Sequence, residues 1–104
     1  MALNEKMFVN KLRKAKKERK ELVAQGLENY VIRTYEVFIT TTECGEDYCF
    51  SYKDIGGYNS VDDDKKHLIS NYKGVLSDVH YAAKVFGNRI IKTKSIKIKL
   101  LKEY

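Results

Sequence analysis

The hydrophobic positions of this chain fall at helical and at strand periods in turn. Phe8, Leu12, Ala15, Leu22 and Val23 lie within a stripe about 100° wide when wound at roughly 100° per residue, which predicts a helix over about residues 4–25. Asn4 is the expected N-cap and Gly26 the expected stop. The stripe is thin and Arg19 interrupts it, so this helix is expected to dock shallowly.

From Tyr30 to Thr42 β-branched and aromatic residues dominate, predicting a strand with Val31, Tyr35, Val37 and Ile39 on one face and Glu36 and Thr40 on the other. Residues 43–47 read as a hairpin loop. Tyr48, Phe50 and Tyr52 then line one face of a second strand, giving a hairpin over about 30–54. Ile55, Gly56, Gly57, Tyr58 and Asn59 read as a break. Ser60 caps a long helix over about 60–86, with Asp62, Asp63 and Asp64 in its first turn, where the helix dipole favours acids. Val61, Leu68, Tyr72, Val75, Leu76, Val79, Ala82, Ala83 and Phe86 give it the clearest amphipathic pattern, with Gly74 a candidate bend and Gly87-Asn88 the end. In the last segment, about 90–102, Ile96, Ile98 and Leu100 alternate with Lys97 and Lys99. Ile91 is out of phase with Ile96, which predicts a bulge near Thr93-Lys94. The expected fold is α+β in the order α-β-β-α-β: one domain over 1–104, a small antiparallel or mixed sheet packed by the long helix, and a basic N-terminal helix.

Composition agrees with a folded domain. The 43% apolar and 12% aromatic content is too high for a disordered chain. No apolar run approaches the roughly 18 residues of a membrane span, and the amino end lacks the apolar core of a secretory signal. Together with only two cysteines, Cys44 and Cys49, these features predict a soluble, cytoplasmic protein with reduced thiols, which would face each other across the hairpin neck.

Charge adds the functional signal, because it is sorted by position. Residues 1–25 carry eight Lys/Arg against three Glu, residues 26–87 six against ten acids, and residues 88–104 six against one. Two basic ends bracket an acidic middle, a layout that favours a polyanionic partner. Lys11, Arg13, Lys14, Lys16, Lys17 and Lys20 on the first helix, with Lys94, Lys97 and Lys99 on the last strand, are the candidate phosphate contacts. The plainer explanations are a solvated lysine-rich helix and an edge strand kept from pairing with other chains by its charge. Lys66, Lys73, His80 and Lys84 fall on one flank of the long helix, either a third basic edge or its ordinary polar side. Tyr48, Phe50 and Tyr52 invite comparison with base-stacking aromatics, but the long helix needs a sheet face to cover and core packing is favoured for them.

Other chemistry finds little support. His67 and His80 lie roughly 140° apart on one helix, so they do not converge with the cysteines on a zinc ion. The three consecutive aspartates point about 100° apart without a calcium loop around them. No nucleophile elbow, phosphate loop or zinc-protease motif is present, and no metal, cofactor or enzymatic activity is expected. The leading expectation is a small non-enzymatic module that binds DNA or RNA, alone or within a nucleoprotein complex. The alternative is a protein-interaction module, such as a phage- or plasmid-type inhibitor of an anti-defence kind, or an adaptor, whose acidic Glu43, Glu46, Asp47 and Asp54 meet a basic cleft. Sorted charge favours the first reading only if the fold brings the two basic ends together.

Overall fold

The β-branched run that follows Ile32 becomes the middle strand, and everything else is arranged around it. A computed structural model describes residues 3–26, 31–57 and 60–104. Its elements are α1 (Leu3–Ala24), β1 (Arg33–Glu43), β2 (Glu46–Gly56), α2 (Val61–Gly87) and β3 (Ile91–Glu103), an α+β fold in the expected order. β1 is antiparallel to β2 on one side and to β3 on the other, so the sheet order is β2-β1-β3, and among the described residues no strand pairs with the outer edge of β2 or of β3.

Several boundaries move for physical reasons. α1 already begins at Leu3, which puts Asn4 inside its first turn instead of at the cap. Gly26 does end the run, in the left-handed region (φ 87°) with its N–H donating to Val23 O. Tyr30, Tyr58 and Asn59 lie outside the described residues. The five-residue hairpin loop contracts to the pair Cys44-Gly45, because Glu43 and Glu46 are already opposite each other. Both turn residues have positive φ (55° and 78°), the twist-matched geometry of a two-residue hairpin turn. The cysteines therefore do not face each other: Cys44 is at the tip, Cys49 pairs with Thr40, and both are exposed and free. β2 also runs on through Ile55 and Gly56 instead of breaking there.

Gly56 continues the strand because a neighbour occupies the space of a side chain. A Cβ at that position would lie 2.7 Å from the carboxyl carbon of Asp64. Asp64 is fully buried and accepts hydrogen bonds from Tyr35 OH (2.6 Å), Arg33 Nη1 (3.2 Å) and Gly57 N (3.1 Å). Only part of the acidic triplet is thus helix-end chemistry. Ser60 caps α2 by accepting from Asp63 N, while Asp64 turns inward and ties α2 to the central strand and to the β2–α2 connection. Burial, then the bond to Asp64, raises the Tyr35 phenol well above its ordinary pKa.

One face of the sheet carries the core. Val37 and Ile39 are buried with Leu76, and Phe50, Tyr52, Tyr72, Ile96 and Ile98 pack against them. Tyr72 stacks on Tyr52 (6.2 Å between centroids), and Phe50 meets Tyr52 edge-on (5.6 Å). The expected core role of Phe50 and Tyr52 holds, whereas Tyr48 is half exposed. α2 runs unbroken through Gly74 and closes with Asn88 left-handed and Arg89 N donating to Ala83 O. Its apolar pattern is not buried throughout. The buried line passes from Leu68 through Tyr72 to Leu76, while Val75, Val79, Val85 and Phe86 (87% exposed) face solvent. A sheet about 10 Å wide has room for one such line only.

β3 contains the expected bulge: Thr40 pairs with Ser95 and Thr41 with Thr93, leaving Lys94 between them. A second, at Leu101, was not legible in the sequence. It separates Leu100, opposite Tyr35, from Lys102, opposite Thr34. Each bulge resets the alternation, so Lys92, Lys97, Lys99 and Lys102 all project from the sheet face away from α2.

Candidate nucleic-acid interface

α1 contributes a surface by docking as weakly as its sequence predicts. Phe8, Val9, Leu12, Ala15, Arg19 and Leu22 are half-buried, none is buried, and Val23 is exposed. The N-terminal half of the helix lies beside the edge of β2, where Met7, Phe8 and Lys11 border Tyr52, Lys53, Asp54 and Tyr72. Lys11 Nζ donates to Asp54 Oδ1 at 2.7 Å. The C-terminal half reaches the opposite corner of the sheet, where Lys16, Lys17, Arg19 and Lys20 line a depression with Tyr104. α1 therefore crosses the end of the sheet from one outer strand to the other.

Tyr104 is where the two basic ends meet. Its backbone N–H donates to Ile32 O (2.8 Å), which extends the β1–β3 ladder and fixes the ring at the corner. Lys16 Nζ sits 4.3 Å from the ring centroid and Lys102 Nζ 4.7 Å from it. An aromatic ring attracts each ammonium by about 0.5–1 kcal/mol at an exposed site, so one ring holds a lysine from each basic end at this corner. From this corner Lys102, Lys99 and Lys97 continue along β3, and Lys14, Lys17 and Lys20 along α1.

Not every candidate cation is available. Lys11 is committed to Asp54, and Lys94 Nζ to Asp47 Oδ2, from which it holds the Asp47 carboxyl below its ordinary pKa. Arg13, Lys14, Lys16, Lys17, Lys20, Lys97 and Lys99 are exposed and make no ion pair among the described residues. The acidic set is largely engaged. Arg89 donates two bonds to Glu43 (2.8 and 2.7 Å), lowering its pKa, Tyr48 OH donates to Glu46, and Asp54 also accepts from Tyr72 OH. The supposed basic edge of α2 is interrupted at His80, which is half-buried with Nε2 2.8 Å from Thr93 Oγ1. Among the described residues no group of three metal-ligating side chains converges, and no helix is long and apolar enough to cross a membrane.

The sequence reading missed three members of this surface. Phe38 and Lys53 lie on the face away from α2: Phe38 is opposite Ser51 and Lys97, and Glu36 is opposite Lys53 and Lys99. The available signal was phase, since an aromatic at 38 falls on the polar side of a strand whose odd positions are apolar. Tyr104 carried no local signal, because its role depends on two lysines distant in sequence. No protein-family model matches this chain, and no curated protein or solved structure shows a significant match to it.

Proposed function

We propose that this protein is a non-enzymatic nucleic-acid-binding module that contacts phosphates through α1 and β3. The observation that supports this reading most is the junction at Tyr104, where Lys16 and Lys102 share one ring and join the two basic ends of the chain into a single surface. Phosphates strung along a strand need cations at repeated intervals, and the surface supplies them from Lys14, Lys17 and Lys20 through the corner to Lys99 and Lys97. The same fold consumes most of the acidic set in internal pairs, which leaves the acidic-belt reading with less to offer a basic partner.

The test is fluorescence anisotropy with labelled 12-nucleotide single strands and 12-base-pair duplexes between 50 and 300 mM salt. Neutralising about six phosphates gives a slope near −5 in log K against log salt on duplex DNA and near −4 on single strands. Lys14→Glu with Lys17→Glu is expected to weaken binding and to reduce the slope by at least about 1.5. Affinity that stays flat over this range for both probes would overturn the proposal.

A further inference from the structure

We propose that the ligand is an unpaired strand, laid across the open face of the sheet with a base stacked on Phe38; this rests on the nucleic-acid reading above. Two faces of the sheet have different fates. α2 covers the one bearing Tyr35, Val37 and Ile39, which are buried. On the other, Glu36, Phe38, Thr40 and Thr42 remain partly open to solvent although they sit on the central strand. Side chains on a middle strand are shielded from both sides by their neighbours, so partial exposure there means that the face is uncovered from Glu36 to Thr42; Thr34, at the end nearest α1, is buried.

The chemistry of this face fits one occupant. Phe38 stands at its centre, with Lys97 directly opposite on β3 and Lys53 and Lys99 one row away across Glu36. Directly opposed side chains stand about 5 Å apart, and the diagonal ones about 7–8 Å, so lysines flank the ring on both sides. Three cations against one carboxylate favour an anion, and an aromatic among them favours a flat apolar group carried by that anion. A duplex offers the phosphates but keeps its bases stacked inside. An unpaired strand offers both, and every base has a face to stack whatever the sequence. The row continues through Lys102 to the corner at Tyr104, so the strand's backbone leads from the sheet face towards α1.

The experiment compares wild type with Phe38→Leu, Phe38→Tyr and Lys97→Gln with Lys99→Gln, using the same labelled single strands and duplexes. Leucine keeps an apolar side chain without a ring, and thermal melts monitored by circular dichroism confirm that each variant is folded. Phe38→Leu is expected to weaken single-strand binding roughly 5- to 150-fold with an unchanged salt slope, because no charge is removed. Phe38→Tyr restores it. The lysine pair lowers the single-strand slope by about 1.4. Single-strand affinity unaffected by Phe38→Leu, or wild-type preference for duplex, overturns this inference. In those cases sensitivity to Lys14→Glu with Lys17→Glu still supports the phosphate-binding function. Absence of binding to either probe at 50 mM salt overturns both.

Discussion

Replacing Asp64 by Asn removes one charge from the most buried polar cluster and keeps the shape of the side chain. Oδ2 accepts from both Arg33 and Tyr35, and Oδ1 accepts from Gly57 N. An amide has one oxygen. Placed towards Arg33 and Tyr35, it sets its NH₂ against the Gly57 N–H; placed towards Gly57, it sets the NH₂ against the guanidinium. Either orientation confronts donor with donor, and the charge-assisted bond to Arg33 is lost. Hydrogen bonds to a buried charge contribute about 1.5–3 kcal/mol, and disrupting a buried pair from one side costs about 3–5 kcal/mol. Because Asn is neutral and isosteric, the expected loss is about 2–4 kcal/mol, a large share of the ~5–15 kcal/mol that stabilises a domain. The melting temperature should fall by roughly 10–25 °C. Urea unfolding followed by far-ultraviolet circular dichroism is the appropriate assay, since the chain has no Trp. Tyr35→Phe alone should cost about 1–2 kcal/mol, and less in the Asp64→Asn background because its acceptor is already compromised. A loss under ~0.5 kcal/mol for Asp64→Asn, or strict additivity with Tyr35→Phe, would mean that the Asp64 charge does not hold this cluster together.

The same cluster makes two further predictions. Gly56→Ala forces a methyl group against the Asp64 carboxyl and should destabilise by about 1–3 kcal/mol, read as a lower urea midpoint; a neutral result would show that the cluster can move aside. The Tyr35 and Tyr72 phenols are both raised above their ordinary range, chiefly by burial, and are then favoured in neutral form by Asp64 and Asp54 respectively. Their raised values mean that the stability they contribute is complete below the unfolded value of about 10 and is lost as pH rises towards the folded values. The urea midpoint should therefore decline above pH 10, less steeply in Tyr35→Phe, and a flat profile to pH 12 would contradict it.

Element types and order were readable because each carries its own period. Phe8, Leu12 and Ala15 recur as a helix stripe, and Ile96, Ile98 and Leu100 alternate as a strand, whatever surrounds them. What failed depended on partners. Asp64 looks like its two acidic neighbours in sequence, and its bonds from Arg33, Tyr35 and Gly57 distinguish it. Gly56-Gly57 reads as a breaker because the reason for Gly56, a carboxylate packed against its Cα, comes from the next helix. The apolar positions after Leu76 read as core because periodicity reports amphipathicity without the width of the surface to be covered. The basic candidates were legible as charges, yet their grouping was not: ion pairs withdraw Lys11 and Lys94, and Tyr104 joins the rest.

The strand order also sets a sequence of events in folding. β1 meets β2 through a two-residue turn, but its other edge waits for β3, whose paired positions lie 48 to 70 residues further along the chain. Until then the hairpin presents an unpaired edge over Thr34–Thr42, rich in Thr, Val, Ile, Tyr and Phe and with only Glu36 charged. Pairing at such separation is slow, and an open edge of this composition is a template for other chains. β3 thus covers an edge that other chains could otherwise pair with, and its lysines make the new outer edge a poorer template.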